Sequence, residues 1–104
     1  MIIIENNKIN YNIELSDNFF KLSLNSAKIA SLAQPFQFIT LNFNQSSLIL
    51  PRPFSIYEKT ANSITIIYKV IGTGTKFLTT LKKNDELLVK GPLGKTVKLP
   101  KKNL

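Results

Sequence analysis

Alternation of apolar and polar residues with a period of two organises most of the chain. Ile9, Tyr11, Ile13 and Leu15 fall on one face of a segment whose other face holds Asn10, Asn12 and Glu14, which predicts a half-buried strand. Ser16-Asp17-Asn18 is a turn cluster. After it, Phe20, Leu22 and Leu24 alternate with Lys21 and Ser23, so the two runs read as an antiparallel hairpin. The stretch from Ala27 to Pro35 has no alternation, and a further strand begins with Phe36, Phe38 and Leu41 and ends near Phe43, before a loop over Asn44 to Ser47.

Pro51 and Pro53 bracket Arg52 and keep that segment extended but without ladder donors, whereas Phe54, Ile56 and Tyr57 are strand formers. An edge strand with a free start is the expected result. Asn62 to Val70, with Ile64, Ile66 and Ile67, predicts another strand. Past Gly72-Thr73-Gly74 the period changes, and Thr75 as cap with Phe77, Leu78 and Leu81 on one face predicts one short helix that ends at Lys82-Lys83-Asn84. Asp85 to Gly91 is a last alternating strand, and Gly91-Pro92-Leu93-Gly94 a turn. The sum is an all-β domain, a six-stranded antiparallel Greek-key barrel with one short helix, over residues 1–94, followed by a basic tail or linker start over 95–104.

Composition narrows the chemistry. With 104 residues, 43% hydrophobic and 19% charged, the chain has the size and make-up of one ordered domain. It contains neither Cys nor His, which removes thiolate and imidazole catalysis, disulfides, Cys/His zinc sites and Cys-ligated clusters from this polypeptide. Difficult chemistry then needs a borrowed cofactor. Met1 leads into the short apolar run Ile2 to Ile4 and then Glu5, unlike a secretory signal, and no run is long enough to span a bilayer. A cytoplasmic protein without membrane contact is expected. The net charge of +8 suits an anionic partner, but the Lys residues are scattered and the only doublets are Lys82-Lys83 and Lys101-Lys102. A solvated Lys-rich surface therefore explains the charge better than a nucleic-acid interface, whose binding would weaken steeply with salt.

Two segments offer what a dinucleotide needs. Arg52 is the only Arg of the chain; its planar fork can hold a phosphate bidentately, though an exposed cation at a strand end is the simpler reading from the residues alone. Gly72 and Gly74 permit close backbone approach, and a helix start offers unpaired N–H groups to an anion; a flexible strand-to-helix turn would have the same sequence.

Taken together and in order, Pro35 to Phe38, Arg52 to Ser55, Tyr68-Lys69, Gly72 to Thr75 and Gly91 to Gly94 resemble the ferredoxin-reductase-like flavoproteins, most closely the electron-transfer subunits of class B dihydroorotate dehydrogenases. The resemblance covers nearly the whole chain. It implies an FAD-binding barrel of an NAD(P)H-dependent electron-transfer oxidoreductase, linked to pyrimidine biosynthesis. Arg52, with Pro53, would hold the pyrophosphate, Phe54 would cover a flavin ring face and Ser55 would lie near its reactive edge. Ile67, Tyr68 and Lys69 would line the cofactor, and Gly72, Gly74 and Thr75 would complete the phosphate contacts. No catalytic residue or metal is implied. Phe36 stands where the family has Gly, so a positive φ there would be strained. Because the subunits resembled also carry a nicotinamide-binding domain and an iron-sulfur segment, the implied partner is a protein part supplying nicotinamide binding and an electron acceptor. The alternative is a barrel that has lost its cofactor and serves as an interaction or structural module.

Overall fold

The structure, a computed structural model, describes residues 1–42 and 49–95, with the side chains of residues 49–52 outside that description. Six strands close into an antiparallel barrel: β1 (Ile3–Ser16), β2 (Phe19–Asn25), β3 (Phe38–Asn42), β4 (Ile49–Lys59), β5 (Ser63–Lys69) and β6 (Glu86–Leu93). Their order around the barrel is β1-β2-β5-β4-β3-β6. The predicted barrel is the observed one. Phe43, the loop over Asn44 to Ser47 and most of the basic tail lie outside the described residues.

Inward-facing residues of every strand meet in one core: Ile9, Leu22, Leu24, Ile39, Leu41, Ile64, Ile66, Leu87 and Val89 are fully buried, and β4 adds the buried Phe54. Ile66 sits opposite Leu22 on one side and Ile56 on the other, in the middle of the sheet.

The alternation predicted for the first strand holds only in part. β1 pairs with β6 over Ile3 to Lys8 and with β2 from Ile9 onward, so it passes from one half of the barrel to the other. At that corner Ile9 lies opposite Leu24 but Tyr11 opposite Ser23, which makes Asn10 the extra residue of a β-bulge. The bulge reverses the faces. Ile9 is buried, yet Ile13 and Leu15 are about half exposed (48% and 50%), while Asn12, opposite the buried Leu22, turns inward.

Two helices rather than one cover the barrel. The unforeseen α1 (Ala27–Leu32) is capped by Ser26, whose Oγ accepts from Ile29 N at 3.2 Å. At its other end Lys59 Nζ donates to Ala30 O and Ala33 O at 2.9 and 2.7 Å, a charge-assisted closure of the carbonyl end. The foreseen α2 (Gly72–Leu78) begins at Gly72, three residues before the expected cap, with Ile71 as N-cap and no side-chain cap.

The last motif is also strand rather than turn. Gly91 and Pro92 lie inside β6, Gly91 opposite Ile3, and a Cβ on Gly91 would meet Ile39 Cγ2 at 2.7 Å. Gln37 joins this exit to the turn before β3: its Oε1 accepts from Gln34 N and its Nε2 donates to Gly94 O, both at 2.8 Å.

Phe36 has φ +71 and is 64% exposed. The strain anticipated at the family's Gly position is thus present, and the ring returns little burial for it. Phe36→Gly is expected to raise stability by about 0.5–1 kcal/mol by releasing a left-handed Cβ conflict, read as a higher urea midpoint; a lower midpoint would show that the ring contributes packing here.

Candidate functional site

β4 pairs with β3 between Ile49 and Ser55 and with β5 only from Ile56 to Lys59. The ladder between β4 and β5 ends at the Ile56–Ile66 pair, whereas β5 continues through Ile67, Tyr68 and Lys69 paired with β2 alone. Residues 53–55 of β4 and 67–69 of β5 therefore share no ladder pair, and this unpaired stretch between the two strands is the slot of the candidate site. As expected, β4 has a free start on this side, although closure of the barrel means that it is not an edge strand.

Proline chemistry explains the opening. Between Leu50 and Phe54, β4 takes four steps while β3 takes two, from Leu41 to Ile39. The surplus falls on Pro51-Arg52-Pro53. Two residues without N–H cannot complete a ladder, so the segment bulges and the β5-facing edge stays unpaired. Arg52 is in this bulge, and its side chain lies outside the described residues.

The floor of the slot is aromatic. Phe54 and Tyr68 point to the barrel interior, 7% and 3% exposed, with ring centroids 6.4 Å apart and nearly perpendicular. Tyr68 also stacks on Phe20 at 5.6 Å. In this structure both rings belong to the core. On the outer side stand Pro53 and Ser55 of β4, with Ile67 half-buried and Lys69 exposed on β5. The Lys69 ammonium lies 5.7 Å from the Phe19 ring centroid.

α2 packs against β4 and brings its glycine turn to the same end of the barrel. Gly72, at φ +82, has no atom within 4 Å of where a Cβ would stand, so the turn is open on that side. Gly74 follows within the helix. Thr75 is buried, and its Oγ1 accepts from Ile71 N at 2.6 Å and donates to Ile71 O at 2.8 Å. The hydroxyl expected to meet phosphate is engaged in its own turn here.

Asn12, which the sequence reading places on the outer face and outside the candidate site, takes part in it. Its Oδ1 accepts from the Tyr68 hydroxyl at 2.9 Å, and its Nδ2 donates to Leu78 O and Leu81 O at 2.8 and 3.1 Å. Only the Asn10 bulge reveals it, because simple alternation places Asn12 on the outer face.

Burial pushes the Tyr68 phenol up to about 12. Its contribution to stability is whole below the unfolded value near 10 and is lost as pH rises through the folded value, because the unfolded chain ionises first. About 2–3 kcal/mol should disappear across that window. Urea midpoints followed from pH 8 to 12 should fall more steeply for the wild type than for Tyr68→Phe; parallel slopes would show that the phenol ionises as easily folded as unfolded.

The closed six-stranded antiparallel barrel has the ferredoxin-reductase-like fold. The solved structure of an NADH-dependent reduced ferredoxin-NADP oxidoreductase superposes with a TM-score of 0.81 at 23% identity, over 88% of this chain and 34% of that one. The siderophore-interacting protein SipS from Aeromonas hydrophila shares the fold with a TM-score of 0.61 at 20% identity, over 88% of this chain and 46% of that one.

By sequence, the chain belongs with the electron transfer subunits of NAD(+)-dependent dihydroorotate dehydrogenase B. That of Listeria innocua is 39% identical over 90 residues, 85% of this chain and 35% of the relative. That of Fusobacterium nucleatum is 33% identical over 95 residues, 88% of this chain and 37% of the relative. The chain thus spans about a third of the length of these curated relatives. No family model matches the sequence.

Proposed function

We propose that this barrel holds FAD in the β4–β5 slot and serves as the flavin-carrying part of an NAD(P)H-dependent electron-transfer oxidoreductase of the dihydroorotate dehydrogenase B kind. The observation that carries this reading is the slot itself. Facing strand edges without ladder partners present backbone N–H and C=O groups, the complement of a planar heterocycle with a hydrogen-bonding rim, and an edge-to-face aromatic pair lies on the interior side. A bare barrel would gain by closing that ladder.

Bound FAD supplies the redox chemistry, accepting two electrons from a nicotinamide and releasing them singly or in pairs. The chain's own residues bind and orient. In this proposal Arg52 and Pro53 carry the pyrophosphate end, and Gly72, Gly74 and Thr75 add backbone N–H groups from the glycine turn. Ser55, Ile67 and Lys69 form the slot's outer rim, and the Phe54 and Tyr68 rings support it from inside rather than stacking openly on it. Conjunction of a charged fork with backbone donors suits a pyrophosphate.

A companion protein part supplies nicotinamide binding and the electron acceptor, with dihydroorotate oxidation as the coupled reaction and the cytoplasm as the place of action. Among the described residues no helix is long and apolar enough to cross a membrane.

The test is a titration with FAD followed by flavin fluorescence at low and high salt. Saturable binding that survives added salt supports the reading. Binding that collapses with salt would indicate a general polyanion surface instead, and no binding at all would favour the barrel as a cofactor-free interaction module.

A further inference from the structure

We infer that Asn12 is a positioning residue that fixes the open edge of β5 relative to α2, an inference that rests on the flavin site proposed above. Its carboxamide is the polar link between the two. The oxygen takes the Tyr68 hydroxyl, and the nitrogen gives to Leu78 O at the last residue of α2 and to Leu81 O in the turn that follows it. With the nitrogen engaged by carbonyls, the oxygen is left to face the phenol, so the network fixes the amide's orientation.

Tyr68 is the middle residue of the unpaired 67–69 edge, and α2 begins with Gly72. Along the chain only Val70 and Ile71 separate the strand from the helix, and Asn12 adds a second tie between them through side-chain hydrogen bonds. Ser, Thr or an apolar residue at position 12 could not reach both partners; a carboxamide turned inward by the Asn10 bulge can. A ligand that touches both the slot and the glycine turn needs their spacing held before it binds. FAD has a ring for one and a pyrophosphate for the other. Riboflavin, which lacks phosphate, needs only the slot.

The experiment compares FAD and riboflavin affinities of the wild type, Asn12→Leu and Tyr68→Phe by fluorescence titration, at a temperature where thermal melts show each protein folded. For Asn12→Leu the preference for FAD over riboflavin is expected to fall about ten-fold, as the loss of several hydrogen bonds from a preorganised frame implies. Tyr68→Phe removes one arm only and keeps the ring packed on Phe20 and Phe54, so a smaller fall, about three-fold, is expected. If the two ligands weaken together, or neither weakens, Asn12 is a packing residue and the inference is overturned. Should Asn12→Leu not fold, Tyr68→Phe decides, and an unchanged preference there overturns it. Failure of the wild type to bind FAD would overturn the flavin site itself, and the inference with it.

Discussion

Ile66→Ala is expected to cost about 2–5 kcal/mol of folding stability, the largest single-site loss predicted for this barrel. Ile66 is fully buried between Leu22 of β2 and Ile56 of β4, where the described strands on both sides are tied by ladders and cannot collapse into a void. The deleted methyl groups therefore leave a cavity in addition to the lost transfer energy. Ile66→Val removes one methylene and should cost about 0.5–1.5 kcal/mol. Urea unfolding of both variants measures this. Two equal, small losses would mean that the barrel relaxes around the site and that its core is looser than the fully buried side chains imply.

The second large effect falls on binding. Arg52→Ala should weaken FAD affinity by about 1.5–3 kcal/mol through loss of a charge-assisted contact to the pyrophosphate. Arg52 belongs to the Pro51–Pro53 bulge, where β4 departs from its partner, so folding should be little changed. Arg52→Lys should recover only part of the affinity, because an ammonium offers a point charge in place of a fork. Fluorescence titration of the three proteins decides it. Equal affinities would place the pyrophosphate elsewhere, with the glycine turn of α2 as the alternative.

Most of the barrel could be read from the sequence because strands with one wet and one dry face write their own alternation. β2 and β5 are the clear cases: Leu22 and Leu24, and Ile64 and Ile66, are all inward. β1 could not be read so simply. Its bulge at Asn10 inserts one residue where the strand changes sheets, and a period-2 pattern carried across it assigns Ile13, Leu15 and Asn12 to the wrong faces. The apolar side chains at 13 and 15 sustained the pattern while facing outward.

One helix was missed and the other was read three residues late, for different reasons. α1 has six residues, too few for intrinsic propensity to show, and its carbonyl end is closed by Lys59 from a distant strand. α2 starts with Gly-Thr-Gly-Thr, residues of low helical propensity, and it is held by buried Thr75 and Leu78 and by the carboxamide of Asn12. Tertiary contacts decide α1 and the start of α2, whose later residues Phe77 and Leu78 did signal a helix.

The candidate site was read from its motifs, which do not give the directions of its side chains. Arg52 to Ser55, Ile67 to Lys69 and Gly72 to Thr75 do converge on one end of the barrel. The structure nevertheless turns Phe54 and Tyr68 inward and engages the Thr75 hydroxyl locally. The slot arises from where a ladder stops, which depends on register between β4 and β5 and not on either strand's own residues. Prolines 51 and 53 were its one sequence signal.

The most direct measurement is the visible spectrum of the purified protein after incubation with FAD and removal of free ligand. A retained flavin band at a molar ratio approaching one per chain is the predicted result. A colourless protein, with the barrel shown to be folded, would contradict the account and leave the β4–β5 slot without its cofactor.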